Sequence, residues 1–481
     1  MPVPHIPALR AGRPYLSPER VEVRDVRTGQ SLGVVSQVNA GLIRRDLPKL
    51  DQAAASLRAL SAKDILERLV EAADHFERAP LPLGDAHQSS DDFVAMLSAT
   101  SGLPEALVRG RIARIAEACR QMPEILAGLM RGADIAILDR GWAPWNGSAI
   151  AFAPLTNALG VLMPSNSPGV NQQWLPALAL KTPVVIKPGR DEPWTPYRLI
   201  QACLAAGFPA EAFSYYPTDH AGAAEILHGC GRAMLFGDAQ TTGRYRNLSS
   251  VQIHGPGWSK VVIGDDFADR WRDYLDVCAS SVLDNSGRSC INASAIVVTR
   301  HADAIADALA ARLASVEPRN LSDEDAALAA FTNPSIAEGI SAAIDRDLRV
   351  QGAVDVTARH RAGGRIVRHD GATFLLPTVI RCDSFEHPLA TREYLFPYVA
   401  VVEVPQADIP RRIGSSLVVS VISNDETLIR GLLAAPSVGH LHIGPIPTWQ
   451  IRWDQPHEGN LFEFLYRQRA FQLAGQPVHT P

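Results

Sequence analysis

The sequence predicts an α/β protein with parallel sheets, and three observations carry that class. Between residues 160 and 237, short apolar runs ending in proline, glycine or a polar residue alternate with stretches of helical periodicity, the order that βαβ units impose. A second tract of the same kind runs from about 290 to 422. The chain has 481 residues, 46% hydrophobic and 20% charged. That is more than one compact core holds and is ordinary for a globular protein of two or three domains.

The net charge of −5 offers no electrostatic reason to expect nucleic acid or an anionic membrane as partner. Six cysteines, Cys119, Cys203, Cys230, Cys278, Cys290 and Cys382, are scattered without CxxC or CxH spacing. Neither a metal site nor a disulfide framework is expected, and a reducing, cytoplasmic setting fits. The N-terminal residues lack a basic segment followed by an apolar run, and no window approaches the roughly 18 apolar residues of a membrane span.

In chain order, the alternating segments 21–26 and 31–35 read as edge strands or a hairpin. Apolar residues at helical spacing over 42–77, with Leu57, Leu60, Ile65, Leu66, Leu69 and Val70 on one stripe, predict two helices. Helical periodicity resumes over 90–131, broken at Gly102-Leu103-Pro104, and core packing is the expected role of these faces. Residues 133–153 predict a protruding hairpin with its turn at Trp145-Asn146-Gly147. The α/β tract follows as strands at 160–163, 183–187, 213–217 and 233–237, with helices at 172–180, 196–206 and 221–228 between them. Ligands of such sheets lie beyond the carboxyl ends of the strands, here Asn166, Lys187 and Gly237. In the second tract a helix at 302–313 and a loop at 317–325 precede strands at 367, 374–379, 399–404 and 418–422. The last 30 residues, rich in aromatics, Arg and Gln, fit a cover over the site or a subunit contact.

Ser281 to Val298 puts a single cysteine, Cys290, at the end of a polar, glycine-containing loop and just before the apolar run Ile296-Val297-Val298. Taken alone, Cys290 reads first as a buried small hydrophobe, since most cysteines are inert. The spacing Asn285-x-Gly287-x-x-Cys290 resembles the catalytic segment of the aldehyde dehydrogenase superfamily. The resemblance extends over five stretches in family order, covering roughly residues 20 to 450. It implies Cys290 as nucleophile, and Asn166 of Pro164-Ser165-Asn166 as an oxyanion donor beside the backbone N–H of Cys290. Loss of one such donor typically costs about 3 kcal/mol. It also implies Lys187 at the adenosine ribose and Gly237, before Thr241-Thr242-Gly243, near the pyrophosphate of NAD or NADP. This superfamily has no GxGxxG, so its absence does not count against a dinucleotide. Arg392-Glu393-Tyr394-Leu395-Phe396-Pro397 is similar to the motif that holds the nicotinamide ribose, which implies roles for Glu393 and Phe396. One residue is missing before the proline, and the carboxylate stands one place early.

Two further positions depart from the family pattern. Arg190 falls where NAD-preferring relatives place a glutamate, so its guanidinium suits a 2′-phosphate, or else it is a solvated surface arginine. His254 stands where hydrolytic members keep their general-base glutamate. An imidazole with an unperturbed pKa near 6.5 suits a base at neutral pH. It equally suits an enzyme that releases its thioester to coenzyme A. The resemblance thus implies an aldehyde dehydrogenase fold: a Rossmann-like cofactor domain at 1–133 and 152–255, a catalytic α/β domain at 256–450, and oligomerisation and C-terminal elements at 134–151 and 451–481. The implied activity is NAD(P)-dependent oxidation of an aldehyde by a homodimer or homotetramer. The alternatives are coenzyme A acylation and a catalytically inactive binding protein. Arg288 and a bound nicotinamide are the candidates for activating the thiol.

Overall fold

The computed structural model describes residues 3–145 and 148–472. Its first seven-stranded sheet has the order Val251–His254, Gly231–Phe236, Ala158–Leu162, Val184–Lys187, Phe213–Tyr215, Ala8–Arg10, Arg13–Tyr15. The first five strands are parallel, and the last two, from the N-terminus, close the edge antiparallel. Their register brings the carboxyl ends level: Leu162 pairs with Lys187 and Phe236 with His254. The intervening helices Trp194–Ala205 and His220–Gly229 lie where the apolar spacing placed them.

A second seven-stranded sheet runs Ala353–Asp355, Thr378–Cys382, Tyr398–Glu403, Ala293–Val298, Ser259–Ile263, Ser416–Ile422, Val438–Ile443, parallel except for its first strand. Helices Leu275–Leu283 and Ala302–Ala314 cover one face, and Pro334–Asp347 and Glu426–Leu433 the other. Burial on both faces explains why its central strands are almost wholly apolar. A third sheet joins Trp142–Trp145, Ser148–Pro154 and Tyr466–Arg469, all antiparallel. The strands of the predicted hairpin are therefore present over 142–154 with a third strand from the C-terminal segment, while Ile137–Arg140, part of the stretch 133–153 read as alternating, forms a short helix. Part of its turn, Asn146-Gly147, lies outside the described residues, as do residues 473–481 of the last 30.

Two element readings are corrected. The stretch read as two helices holds three, Ala40–Asp46, Leu50–Arg58 and Ala62–Arg78, because Pro48 interrupts the first and Ser61 caps the third. The Ser61 side chain accepts from the Asp64 N–H, and Asp64 reaches back, forming a capping box that restarts the helix. The run 374–379 is two strands, not one: Ala372–Leu375 forms a hairpin with Ile366–His369, while Thr378–Cys382 enters the second sheet. Pro377 between them has no N–H to give a ladder.

Candidate active site

The thiol-bearing loop leaves helix Leu275–Leu283 through a strained turn, with Asn285, Ser286 and Gly287 at φ 50°, 56° and 68°. For the two non-glycine residues this is the left-handed region, which costs about 1–3 kcal/mol each unless the surroundings impose it. Here they do. The Arg111 guanidinium grips both Asp284 oxygens at 2.7 and 2.8 Å and donates to Asn285 Oδ1 at 3.2 Å. Ser286 Oγ accepts from the Ala329 N–H at 2.7 Å, and Asn292 bridges the Ser289 N–H and the Asp284 carbonyl at 2.8 and 2.9 Å. At Gly287 a Cβ would stand 2.4 Å from the Phe396 carbonyl carbon, so no side chain fits.

Beyond the turn, Ser259 Oγ donates to the Cys290 carbonyl at 2.9 Å. Gly257 passes so close that a Cβ there would lie 1.8 Å from the same carbonyl oxygen. Five cysteines are buried and Cys290 alone keeps partial exposure. Burial pushes the Cys290 thiol well above its ordinary range, and the Glu458 and Glu393 charges push the same way; the N–H groups of Cys290 and Ile291 oppose them. The resting thiol is therefore protonated. Arg288 does not correct this: its guanidinium turns away to the Ser101 and Ala330 carbonyls and lies over Phe331. Of the two candidates for activating the thiol, Arg288 is removed because its charge is spent on buried backbone carbonyls.

Asn166 follows the strand Ala158–Leu162 of the first sheet, yet its Nδ2 donates to the Arg288 carbonyl at 2.7 Å. The Asn166 amide is thus anchored to the backbone two residues from Cys290. His254 ends the edge strand Val251–His254, stacks on Phe236 at 4.3 Å between ring centres, and is 4% exposed. Its Nδ1 is hydrogen-bonded to Glu458 Oε2. Cys290, His457 and Glu458 bring their sulfur, ring nitrogen and carboxylate oxygen within 4.8 Å of one another. Glu458 is the residue that sequence reasoning missed. It lies 204 positions from its partner, and its only local mark is an acid beside a histidine in an aromatic-rich tail. An adjoining cavity is lined by Arg114, Gln172, Gln252, His254, Trp453 and Glu458, among others.

Of the residues expected at the cofactor, Lys187 ends a strand of the first sheet and Gly237 follows another. Lys187 is half-buried; burial lowers its ammonium pKa and the Asp191 charge opposes that. A desolvated ammonium at this edge fits a dinucleotide hydroxyl or phosphate oxygen. Gly237 is partly exposed and accepts the turn into Ala239–Gly243, while Arg190 is exposed. Glu393 accepts from the N–H groups of Gly257 and Trp258 at 3.1 and 2.5 Å, so both its oxygens are engaged by the loop after His254. Burial nonetheless pushes its carboxyl up to about 7, against those two bonds and the charge of Lys260. Phe396 is buried against Tyr394 and Tyr398 and backs the turn at Gly287.

The sequence pattern of the aldehyde dehydrogenase family matches residues 15–460. The chain belongs to the aldehyde dehydrogenase family. Among relatives, a glutarate-semialdehyde dehydrogenase of Pseudomonas putida is 24% identical over 75% of this chain and 72% of its own. The NADP(+) succinate-semialdehyde dehydrogenase GabD of Escherichia coli has the same identity and coverage. The crystal structure of an indole-3-acetaldehyde dehydrogenase complexed with NAD+ superposes with a TM-score of 0.79 at 16% identity, covering 97% of this chain and 96% of that one. This aldehyde dehydrogenase therefore has the family's α/β fold and is an oxidoreductase by descent. Among the described residues, no helix is long and apolar enough to cross a membrane.

Proposed function

We propose that this aldehyde dehydrogenase oxidises an aldehyde to its acid with NAD or NADP, by way of a thiohemiacetal and then a thioester on Cys290, and that water releases the product. The observation that carries the reading is the Asn166 amide fixed on the Arg288 carbonyl at 2.7 Å, beside the strained loop that presents the one partly exposed thiol. The Cys290 thiol first gives up its proton to solvent, its sulfur then adds to the carbonyl carbon, and the new oxyanion is held by Asn166 Nδ2 and the Cys290 N–H. Lys187, Gly237 and Arg190 would hold the dinucleotide along the strand ends, with Glu393 and Phe396 shaping the nicotinamide side through the turn at Gly287. When bound, the dinucleotide supplies the hydride acceptor. Departure of hydride from the thiohemiacetal carbon leaves a thioester on Cys290. The carboxylate–imidazole pair of Glu458 and His254 supports water as the acceptor of the acyl group, and no observation supports coenzyme A.

The substrate we infer is a short aldehyde with an anionic tail. Arg114 lines the cavity with only a 3.4 Å contact to the Trp449 carbonyl and a stacking approach to Trp453, and several relatives are named for semialdehydes. Cys290→Ser should lower turnover by roughly 1,000-fold or more while leaving cofactor affinity, read by NAD(P)H fluorescence, and Tm nearly unchanged. A variant retaining more than a few per cent of activity means that another residue is the nucleophile. Run with glutarate semialdehyde and with pentanal, the same assay should favour the acid-bearing aldehyde about 10-fold or more, one well-placed charged hydrogen bond. Equal kcat/KM values remove the role of Arg114.

A further inference from the structure

The geometry points to Glu458, not residue 254, as the general base that activates water for release of the acyl group, with His254 as the residue that positions it. The proposal rests on the reading of Cys290 as carrier of a thioester and deepens its last step.

Two carboxylates approach the thiol, and their bonding separates them. Glu393 has both oxygens taken by the Gly257 and Trp258 N–H groups. Glu458 gives Oε2 to His254 and lies within 4.8 Å of Cys290 Sγ, which leaves Oε1 for a water molecule between carboxylate and thioester. Burial pushes the Glu458 carboxyl up, but the charge and hydrogen bond of His254, with His457 behind it, more than reverse that and hold it below the ordinary range. Glu458 is thus ionised, the state in which a carboxylate can act as a general base. His254 is less suited to act as the base. Its Nδ1 is committed to Glu458, the ring is stacked on Phe236, and Nε2 is buried with no partner among the described residues.

The segment that carries Glu458 is anchored as a catalytic element must be. Gln252 Nε2, two residues before His254, donates to the Glu458 carbonyl. Gly459 turns at φ 83°, and Asn460 caps the helix Leu461–Leu465 while its Nδ2 donates to the Leu129 carbonyl at 2.8 Å. Where the family pattern has an acid at position 254 this chain has a histidine, and that histidine holds the Glu458 carboxylate of the C-terminal segment beside the thiol. In the step itself, the water oxygen attacks the thioester carbonyl carbon and its proton passes to Glu458 Oε1. The C–S bond then breaks, Cys290 leaves as thiolate, and the proton on Glu458 is lost to solvent as the acid departs.

The test is single-turnover and steady-state kinetics on full-length Glu458→Gln, Glu458→Asp and His254→Gln, with intact-protein mass spectrometry and Tm. Glu458→Gln should keep a burst of one NAD(P)H per site, lose steady turnover by about 100-fold or more, the usual worth of a general base, and accumulate the acyl adduct on Cys290. Added hydroxylamine, which needs no base, should restore its turnover. Glu458→Asp should recover part of the loss, and His254→Gln should lose less than Glu458→Gln. The assignment is overturned if Glu458→Gln turns over within twofold of wild type. It is also overturned if that variant loses the burst at an unchanged Tm, or if His254→Gln alone stalls as the acyl-enzyme. A wild type that shows no burst and no Cys290 adduct would instead sink the thioester reading itself.

Discussion

The two sides of the site are built by opposite rules. On the nucleophile side, three successive residues in left-handed conformation are clamped by Arg111, Asn292, Ala329 and the backbone of Phe396, and Gly257 lies against the Cys290 carbonyl with no room for a methyl group. On the side proposed for the cofactor, Lys187 and Gly237 are only partly covered and Arg190 is exposed. The proposed attack on a carbonyl tolerates little positional error, which fits the clamped backbone that presents the thiol. A dissociable cofactor has to enter and leave, and the partly open edge at Lys187, Gly237 and Arg190 suits the dinucleotide proposed there.

Gly257→Ala should produce the largest effect of a single small change. Its Cβ would stand 1.8 Å from a carbonyl oxygen that has no flexible side chain to yield. The Cys290 backbone must shift, and kcat should fall about 100-fold, as expected for a displacement near 1 Å at the reacting centre. Retention of wild-type kcat in this variant would show that the nucleophile side is looser than its bonding implies. The open side should respond by selectivity instead. Arg190→Glu should weaken NADP+ by about 10-fold or more and NAD+ little, since it exchanges a guanidinium partner of the 2′-phosphate for a repelling carboxylate. Dissociation constants from NADPH and NADH fluorescence decide it, and equal changes for both cofactors leave Arg190 a solvated residue.

Beneath the open edge lies Glu192, fully buried, where burial pushes the carboxyl up to about 8 despite hydrogen bonds to Thr195. Because its folded pKa lies above its unfolded value, it costs no stability below about pH 4 and increasingly more as pH rises toward 8. Glu192→Gln keeps an acceptor for the Thr195 N–H and removes the charge. Its Tm should match wild type near pH 4.5 and exceed it at pH 8.5, by the equivalent of about 1–3 kcal/mol. A constant difference across that range would mean the carboxyl is ionised throughout.

Much of the scaffold was legible because local rules set it. Strands and helices over 158–254 followed from periodicity and from prolines and glycines that stop each run. The hairpin 142–154 and the loop at 317–325 were equally local. The errors arose where a single residue overrides a pattern: Pro48 and Ser61 divide a continuous apolar stripe, and Pro377 splits a run of strand formers. Arg288 misled for another reason. It stands two residues from the thiol in sequence, but a buried guanidinium goes where carbonyls can satisfy it, here to Ser101 and Ala330.

The sequence by itself determined the family and pointed to the thiol and the amide around which the site is built, because each is carried by residue types at short fixed spacing that a strand end or tight turn must present in one way. Only the tertiary structure decided what stands beside the thiol. His254 and Glu458 are 204 residues apart, and no periodicity or motif connects a strand end of one sheet to a segment beyond the last strand of another. Their meeting depends on how the C-terminal segment packs across the first sheet, pinned at Gln252 and Asn460 and closed by the pairing of Tyr466–Arg469 with Ser148–Pro154. Burial then sets the charge states, and burial is a property of the assembled fold.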